Sequence, residues 1–155
     1  SVNGLVGSEM CIRDRSNPLA PPVTTRIEGD MAIGHCFCGW AYEGPPGSVH
    51  GGYVAAIFDQ FMGFAQKLGK RPGMTGYLHV DYHQRTPLTA DLHLEARVTK
   101  QEGRKTFMEG KMFAHGELTA SCDALFIEPR KGIYSLETQS HPEEVFSPPR
   151  ANPGA

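Results

Sequence analysis

The hydrophobic residues of the chain change their spacing at Gly51. From Gly51 to Leu68 they recur every three or four positions, which is typical of an amphipathic helix. No charged residue stands between Asp59 and Lys67, so other elements should cover most of this helix. A glycine and a proline, Gly69 and Pro72, predict its end.

Segments with strand character flank this helix on both sides. We predict strands over residues 23–28, 31–43, 74–84, 88–100, 104–115 and 117–128. The connections between the last four are short, which requires antiparallel neighbours. The pattern therefore predicts an α+β fold, with an antiparallel sheet wrapped around one long central helix.

The chain ends differ in character from this central region. We expect residues 17–130 to form the domain and residues 131–155, which lack periodicity and are rich in proline, to form a flexible tail. Residues 1–16 are predicted to be a non-native or disordered segment, because residues 5–14 resemble one reading frame of a sequencing adapter. They show no signal-peptide pattern; a frayed natural terminus is the alternative.

Composition narrows the class of protein. Hydrophobic residues make up 39% of the 155 residues and charged residues 21%, a balance typical of a soluble globular domain. The net charge of −2 lacks the basic excess that favours nucleic acid or anionic membranes. Four unevenly spaced cysteines without a CxxC pair indicate a reducing, cytoplasmic location rather than a disulfide scaffold.

Two constellations could bind a metal, and both have a simpler interpretation. Cys36 and Cys38 would share one strand face, where small packing residues are commoner than ligands. His79, Asp81 and His83 alternate on one predicted strand, and the outer two Cα atoms lie about 13 Å apart. Side chains so far apart do not converge easily on one ion, so we predict no metal site.

Chemistry is concentrated at the beginning of the predicted helix. The first turn of a helix has N–H groups without internal partners, and glycine at Gly51 and Gly52 lets a ligand approach them. Such donors could stabilise a developing oxyanion. Asp59 lies at the border of the apolar stripe without a nearby cation, where partial desolvation would make it more basic. A tight turn and an ordinary exposed aspartate are the structural alternatives.

In combination these residues resemble the hotdog-fold acyl-CoA thioesterases of the PaaI-like group, within it the branch of thioesterase superfamily members 4 and 5. The resemblance covers about residues 30–128. Its motifs are GPPGSVHGG at residues 44–52, Asp59, residues 74–76, Tyr82, and residues 85–88, 102–105, 118–120 and 125–126.

The resemblance implies a role for each matched position. Gly51 would offer its N–H to the thioester carbonyl, and Asp59 would act as nucleophile or as general base for water. Thr75 would position that water, while His50 would shape the turn. The family assembles its site across a dimer interface, so we expect a homodimer or a dimer of dimers, and no cofactor.

One position departs from the family pattern. Many PaaI-like enzymes carry Asn or Gln seven residues before the first glycine, where this chain has Gly44. The identity of the water's second partner is therefore open. Further substrate-binding candidates are Gly52, Met62, Arg85, Arg104 and Lys105, the basic ones for the phosphates of coenzyme A.

Two other functions were weighed within the same fold. An enoyl-CoA hydratase would need an Asp and a His in a D-x-x-x-x-H spacing, which the helix lacks. A non-catalytic acyl-CoA-binding protein would need the pocket but not Asp59 and Thr75. Acyl-CoA hydrolysis is therefore the predicted function.

Overall fold

The computed structural model describes residues 10–11 and 21–130. Its strands and its helix follow one another along the chain with short connections. They are β1 Met10–Cys11, β2 Val23–Glu28, β3 Met31–Phe37, α1 Gly51–Ala65, β4 Met74–Tyr82, β5 Asp91–Glu102, β6 Lys105–Ala114 and β7 Glu117–Ile127. Short 3₁₀ turns, Trp40–Tyr42 and Gln66–Gly69, precede and follow α1.

Within the described residues the strands form one antiparallel sheet in the order β1-β2-β3-β5-β6-β7-β4. The hairpins β5–β6 and β6–β7 join neighbours in sequence, as their short connections require. The strand after the helix, β4, pairs with β7 and so lies at the edge of the sheet. No strand among the described residues pairs with its other side.

The helix packs against one face of the curved sheet. Its apolar residues Ile57, Phe58, Phe61 and Met62 are fully buried. They meet the inward residues of the central strands, among them Leu92, Leu94 and Ala96. The predicted α+β hotdog architecture is confirmed: in the part of the chain that the structure describes, one amphipathic helix has its apolar side covered by an antiparallel sheet.

Several predicted element ends differ from the structure: β5, for example, spans Asp91–Glu102 and not residues 88–100. Two of the differences flank α1. Strand β3 ends at Phe37 and not at residue 43, because the chain then turns through the 3₁₀ segment Trp40–Tyr42. That turn lets the carbonyl of Tyr42 accept the backbone N–H of His50 at 2.8 Å. The helix ends at Ala65, and its predicted last turn is 3₁₀.

The predicted N-terminal segment and C-terminal tail lie almost wholly outside the described residues. Only Met10–Cys11 of residues 1–16 is described, as a two-residue strand paired with Thr24 and Thr25 of β2. Within the described part of the chain, no helix combines the length and the apolar character needed to cross a bilayer.

Candidate active site

The turn that leads into α1 is closed by its own backbone. The N–H of Gly44 donates to the carbonyl of Ser48 at 2.9 Å, and the Ser48 N–H donates to Pro45 at 2.9 Å. The Val49 N–H donates to the carbonyl of Thr86 at 2.8 Å. Because two neighbouring segments hold this turn, the first helical residue has a defined position.

His50 is the N-cap of α1 and accepts hydrogen bonds from most of the backbone N–H groups in the first turn of the helix. Its Nδ1 accepts the N–H of Gly52 at 3.0 Å. Its carbonyl accepts the N–H groups of Tyr53 at 2.9 Å and Val54 at 3.1 Å. Among the described residues the Gly51 N–H has no hydrogen-bond partner, so it is the one donor of the first turn left open to a ligand.

A cavity of about 360 Å³ lies beside Gly51. It is lined by Pro45, Ser48, Val49, Gly51, Val54, Tyr82, Gln84, Arg85 and Thr86. Most of this wall is apolar, and Arg85 supplies its positive charge. The structure therefore brings Gly51 and Arg85, two predicted site residues, to the same cavity.

Tyr82 also contacts this place, and no role was predicted for it from the sequence. Its hydroxyl donates to the carbonyl of Gly51 at 2.7 Å. Only its membership of the family motif marked it, because the two residues lie 31 positions apart in the chain. Strand β4 folding back along α1 creates the contact.

Asp59 lies two helical turns further on, and it is hydrogen-bonded to Thr75, the residue to which the family resemblance gave the role of positioning water. The hydroxyl of Thr75, near the start of β4, donates to Oδ1 of Asp59 at 2.8 Å. Contrary to the expectation of partial desolvation, Asp59 is exposed within a single chain. One turn further along the helix, a Cβ on Gly63 would meet nothing within 4 Å.

The two groups do not meet in one chain. Asp59 follows Gly51 by eight positions, which places them about 12 Å apart along the helix axis. Arg104 and Lys105 lie at the Thr75 end of the sheet, since Lys105 and Met74 both pair with Ile127. One chain thus presents the N–H of Gly51 at the start of α1 and the carboxylate of Asp59 two turns away, at the end of the sheet where Arg104 and Lys105 lie.

Other predicted contacts have less access to a ligand. Met62 is fully buried in the core. The Gly52 N–H is occupied by His50, and Arg104 donates to the carbonyl of Glu128 at 2.9 Å. Whether these residues touch substrate stays a prediction.

Gly44 has a steric reason to be glycine. A Cβ placed on it would lie 2.7 Å from the Cα of His50, closer than real Cβ contacts allow. A side chain such as Asn therefore does not fit here without moving the backbone that caps α1. The water partner that many PaaI-like enzymes have at this position is absent from this chain.

The metal alternatives gain no geometric support. Cys36 and Cys38 are buried with their sulfurs 3.8 Å apart. Burial raises the pKa of the third buried thiol, Cys122, to about 12, which disfavours the thiolate that a metal would need. His79 faces Asp81 at 3.5 Å, whereas His83 hydrogen-bonds to Ser121. Across residues 10–11 and 21–130, no group of three or more His, Cys, Asp or Glu could hold a metal ion.

Known proteins share this fold. Residues 46–121 match the family model of the thioesterase superfamily. Acyl-coenzyme A thioesterase THEM4 of Xenopus laevis is 36% identical over 88 residues, which are 56% of this chain and 40% of the relative. The chain thus spans about two fifths of the length of the curated relatives it matches.

Solved structures agree. The crystal structure of a thioesterase superfamily protein is 36% identical with a TM-score of 0.67, over 70% of this chain and 57% of that one. The PaaI protein of E. coli has a TM-score of 0.64 at 12% identity, over 70% of this chain and 80% of that one. The latter similarity concerns the fold alone.

Proposed function

We propose that this chain hydrolyses the thioester of an acyl-coenzyme A to a carboxylic acid and free coenzyme A. The observation that carries the proposal is the open N–H of Gly51 in a first turn whose other donors are satisfied. A fixed donor at a helix N-terminus suits the negative charge that develops on a thioester oxygen during attack. The name of the THEM4 relatives, acyl-coenzyme A thioesterase, supports the same substrate class.

Asp59 supplies the attack in this proposal. Its carboxylate either takes a proton from water or adds to the thioester carbon to form an anhydride that water then hydrolyses. The Thr75 hydroxyl, which donates to Oδ1, holds one oxygen of the carboxylate and leaves the other free. Collapse of the tetrahedral intermediate expels the thiolate of coenzyme A, which takes up a proton.

A second chain completes the site. Gly51 and Asp59 are too far apart in one chain to act on one thioester, so Gly51 of one subunit would face Asp59 of its partner. The unpaired edge of β4 is a surface suited to such pairing. It carries three exposed large apolar side chains, Met74, Tyr77 and Tyr82. We therefore propose a homodimer, or a dimer of dimers.

The basic residues divide between the two ends of the site. Arg85 lines the cavity beside Gly51, whereas Arg104 and Lys105 lie near Thr75. In a dimer that joins Gly51 to the partner's carboxylate, both groups approach the same substrate. We assign them to the phosphates of coenzyme A, which favour arginine forks and lysine point charges.

Replacing Asp59 by Asn tests the assignment. We expect kcat for acyl-CoA hydrolysis, read as free thiol release over aryl, short-chain and long-chain substrates, to fall by about 10³-fold. The matched control is Asp30→Asn in the exposed turn between β2 and β3, which should retain wild-type kcat. Circular dichroism should be unchanged in both variants.

Full activity of Asp59→Asn would overturn the role of the carboxylate. Tight binding by the wild type without turnover of any substrate would instead indicate a non-catalytic acyl-CoA-binding protein. In a single turnover in ¹⁸O-labelled water, label in the Asp59 carboxylate would show the nucleophilic role, because water that opens the anhydride at the Asp59 carbonyl leaves its oxygen there.

A further inference from the structure

Tyr82 ends the edge strand β4 and lies against the first residue of α1. The residue is 54% exposed, yet its hydroxyl donates to the carbonyl of Gly51 at 2.7 Å. A Cβ built on Gly51 would lie 3.5 Å from Cε1, Cζ and the hydroxyl oxygen of this ring. The tyrosine therefore makes a hydrogen bond to Gly51, and its ring lies beside the position that a side chain of residue 51 would occupy.

This hydrogen bond is not needed to satisfy the helix. In an α-helix the carbonyl of residue i accepts the N–H of residue i+4, so the helix itself already provides a donor, the N–H of Ala55, for the carbonyl of Gly51. A second donor on that carbonyl restrains the peptide unit between Gly51 and Gly52, and through the Cα of Gly51 it restrains the neighbouring unit that carries the Gly51 N–H. Gly51 has no side chain, so contacts of this kind are what can restrain it from outside the helix.

We infer that Tyr82 is a positioning residue for the Gly51 N–H. This inference rests on the proposed function, in which that N–H stabilises the oxyanion. The donor acts best when its direction is set before the thioester arrives, because reorientation during the reaction costs free energy. The hydrogen bond from β4 sets that direction, and it also joins the proposed dimer edge to the oxyanion donor.

The test compares Tyr82→Phe with Tyr77→Phe. Both remove one hydroxyl from an exposed tyrosine of β4 and keep the ring, but the structure shows a hydrogen bond to Gly51 for Tyr82 alone. We expect Tyr82→Phe to lower kcat by about five- to tenfold with KM changed less than about twofold. Tyr77→Phe, which keeps its ring on the proposed dimer edge, should lower kcat less than Tyr82→Phe does.

Two outcomes would overturn the inference. A kcat within about twofold of wild type would show that the hydrogen bond does not position the donor. A raised KM with unchanged kcat would show that Tyr82 binds substrate. A double variant tests whether Tyr82 acts through the Gly51 N–H. In a Gly51→Pro background, which lacks that N–H, Tyr82→Phe should cause no further loss of kcat. An additive loss would indicate a role elsewhere.

A measurement independent of hydrolysis separates this inference from the proposed function. In ¹H–¹⁵N spectra the amide signals of Gly51 and Gly52 should shift in Tyr82→Phe and stay in place in Tyr77→Phe. Unshifted signals in Tyr82→Phe would overturn the positioning role. If wild type hydrolyses no acyl-CoA, the proposed function fails, and the amide signals still decide whether Tyr82 orients Gly51.

Discussion

The first turn of α1 and the turn that carries Asp59 lie on one helix, about 12 Å apart, and are built in different ways. In the first turn, His50 caps Gly52 with its ring and accepts two further N–H groups at its carbonyl. Around Asp59 the structure provides one side-chain hydrogen bond, from Thr75, and open space beside Gly63.

One chain can complete the N–H donor in the first turn of α1, but it leaves the carboxylate of Asp59 exposed. A donor at a helix N-terminus needs only its own turn and the segments that hold it, so a single chain can complete it. An exposed carboxylate stays solvated, and water weakens its interactions with a bound thioester. A partner chain that covers Asp59 would supply both the missing donor and the exclusion of water.

Mixing two inactive variants tests this division most directly. Asp59→Asn removes the carboxylate, and Gly51→Pro removes the N–H. When the two are coexpressed with different tags, half of the dimers should be mixed, with one of their two sites intact. The sample should then regain about a quarter of wild-type activity, more than a hundredfold above Asp59→Asn alone.

Each variant purified alone is the control for the mixture. If both groups act within one chain, the mixed dimers have no intact site and stay inactive. That result would contradict the shared site while leaving the roles of the two residues in place.

The Gly51→Pro variant by itself probes the donor half. Proline is well accepted at the first helical position, and His50 at φ −59° and ψ 133° already has the backbone conformation that a following proline requires. The substitution therefore deletes the N–H with little other change. We expect kcat to fall by about 10²-fold, as for removal of one oxyanion-hole donor.

Gly51→Ala is the matched control for this loss. It retains the N–H, and its Cβ would make ordinary contacts of 3.5 Å with Tyr82. Its loss of kcat should stay below about tenfold. Equal losses in the two variants would show that the shape of the turn matters and the N–H does not.

The sequence predicted the fold better than the details of the site. The three- and four-residue spacing up to Leu68 and the alternation around Leu92 determine the helix and the sheet, because each follows from local periodicity. The early end of β3 was missed, since it depends on the hydrogen bond between Tyr42 and His50. Such a contact depends on the path of the loop between the two residues.

For the site, the sequence indicated which residue types are present, and the structure shows which of their donors and acceptors already have hydrogen-bond partners. That Gly51 keeps an open N–H follows only from accounting for the acceptors in the first turn. The contact between Tyr82 and Gly51 bridges 31 positions and leaves no periodic signal. The exposure of Asp59 was missed because its place at the edge of the apolar stripe suits either environment.

The smallest expected effects come from adding one methyl group in each region, at Gly44 beside the first turn of α1 and at Gly63 near Asp59. Gly44→Ala places a Cβ 2.7 Å from the Cα of His50, so the backbone under the cap must move. We expect a loss of about 1–3 kcal/mol in the free energy of unfolding, typical of overpacking, together with a lower kcat. Urea unfolding at a fixed protein concentration measures the first quantity, because association with a partner chain contributes to stability.

Gly63→Ala is the counterpart in the open region near Asp59. A Cβ there meets nothing within 4 Å, and alanine is the better helix former, so stability should rise by about 0.5–1 kcal/mol. Opposite signs for the two variants would support a tightly packed first turn and an uncovered carboxylate turn. If Gly63→Ala is as destabilising as Gly44→Ala, a partner subunit already packs against this face of the helix, and the open space of one chain is filled in the assembly.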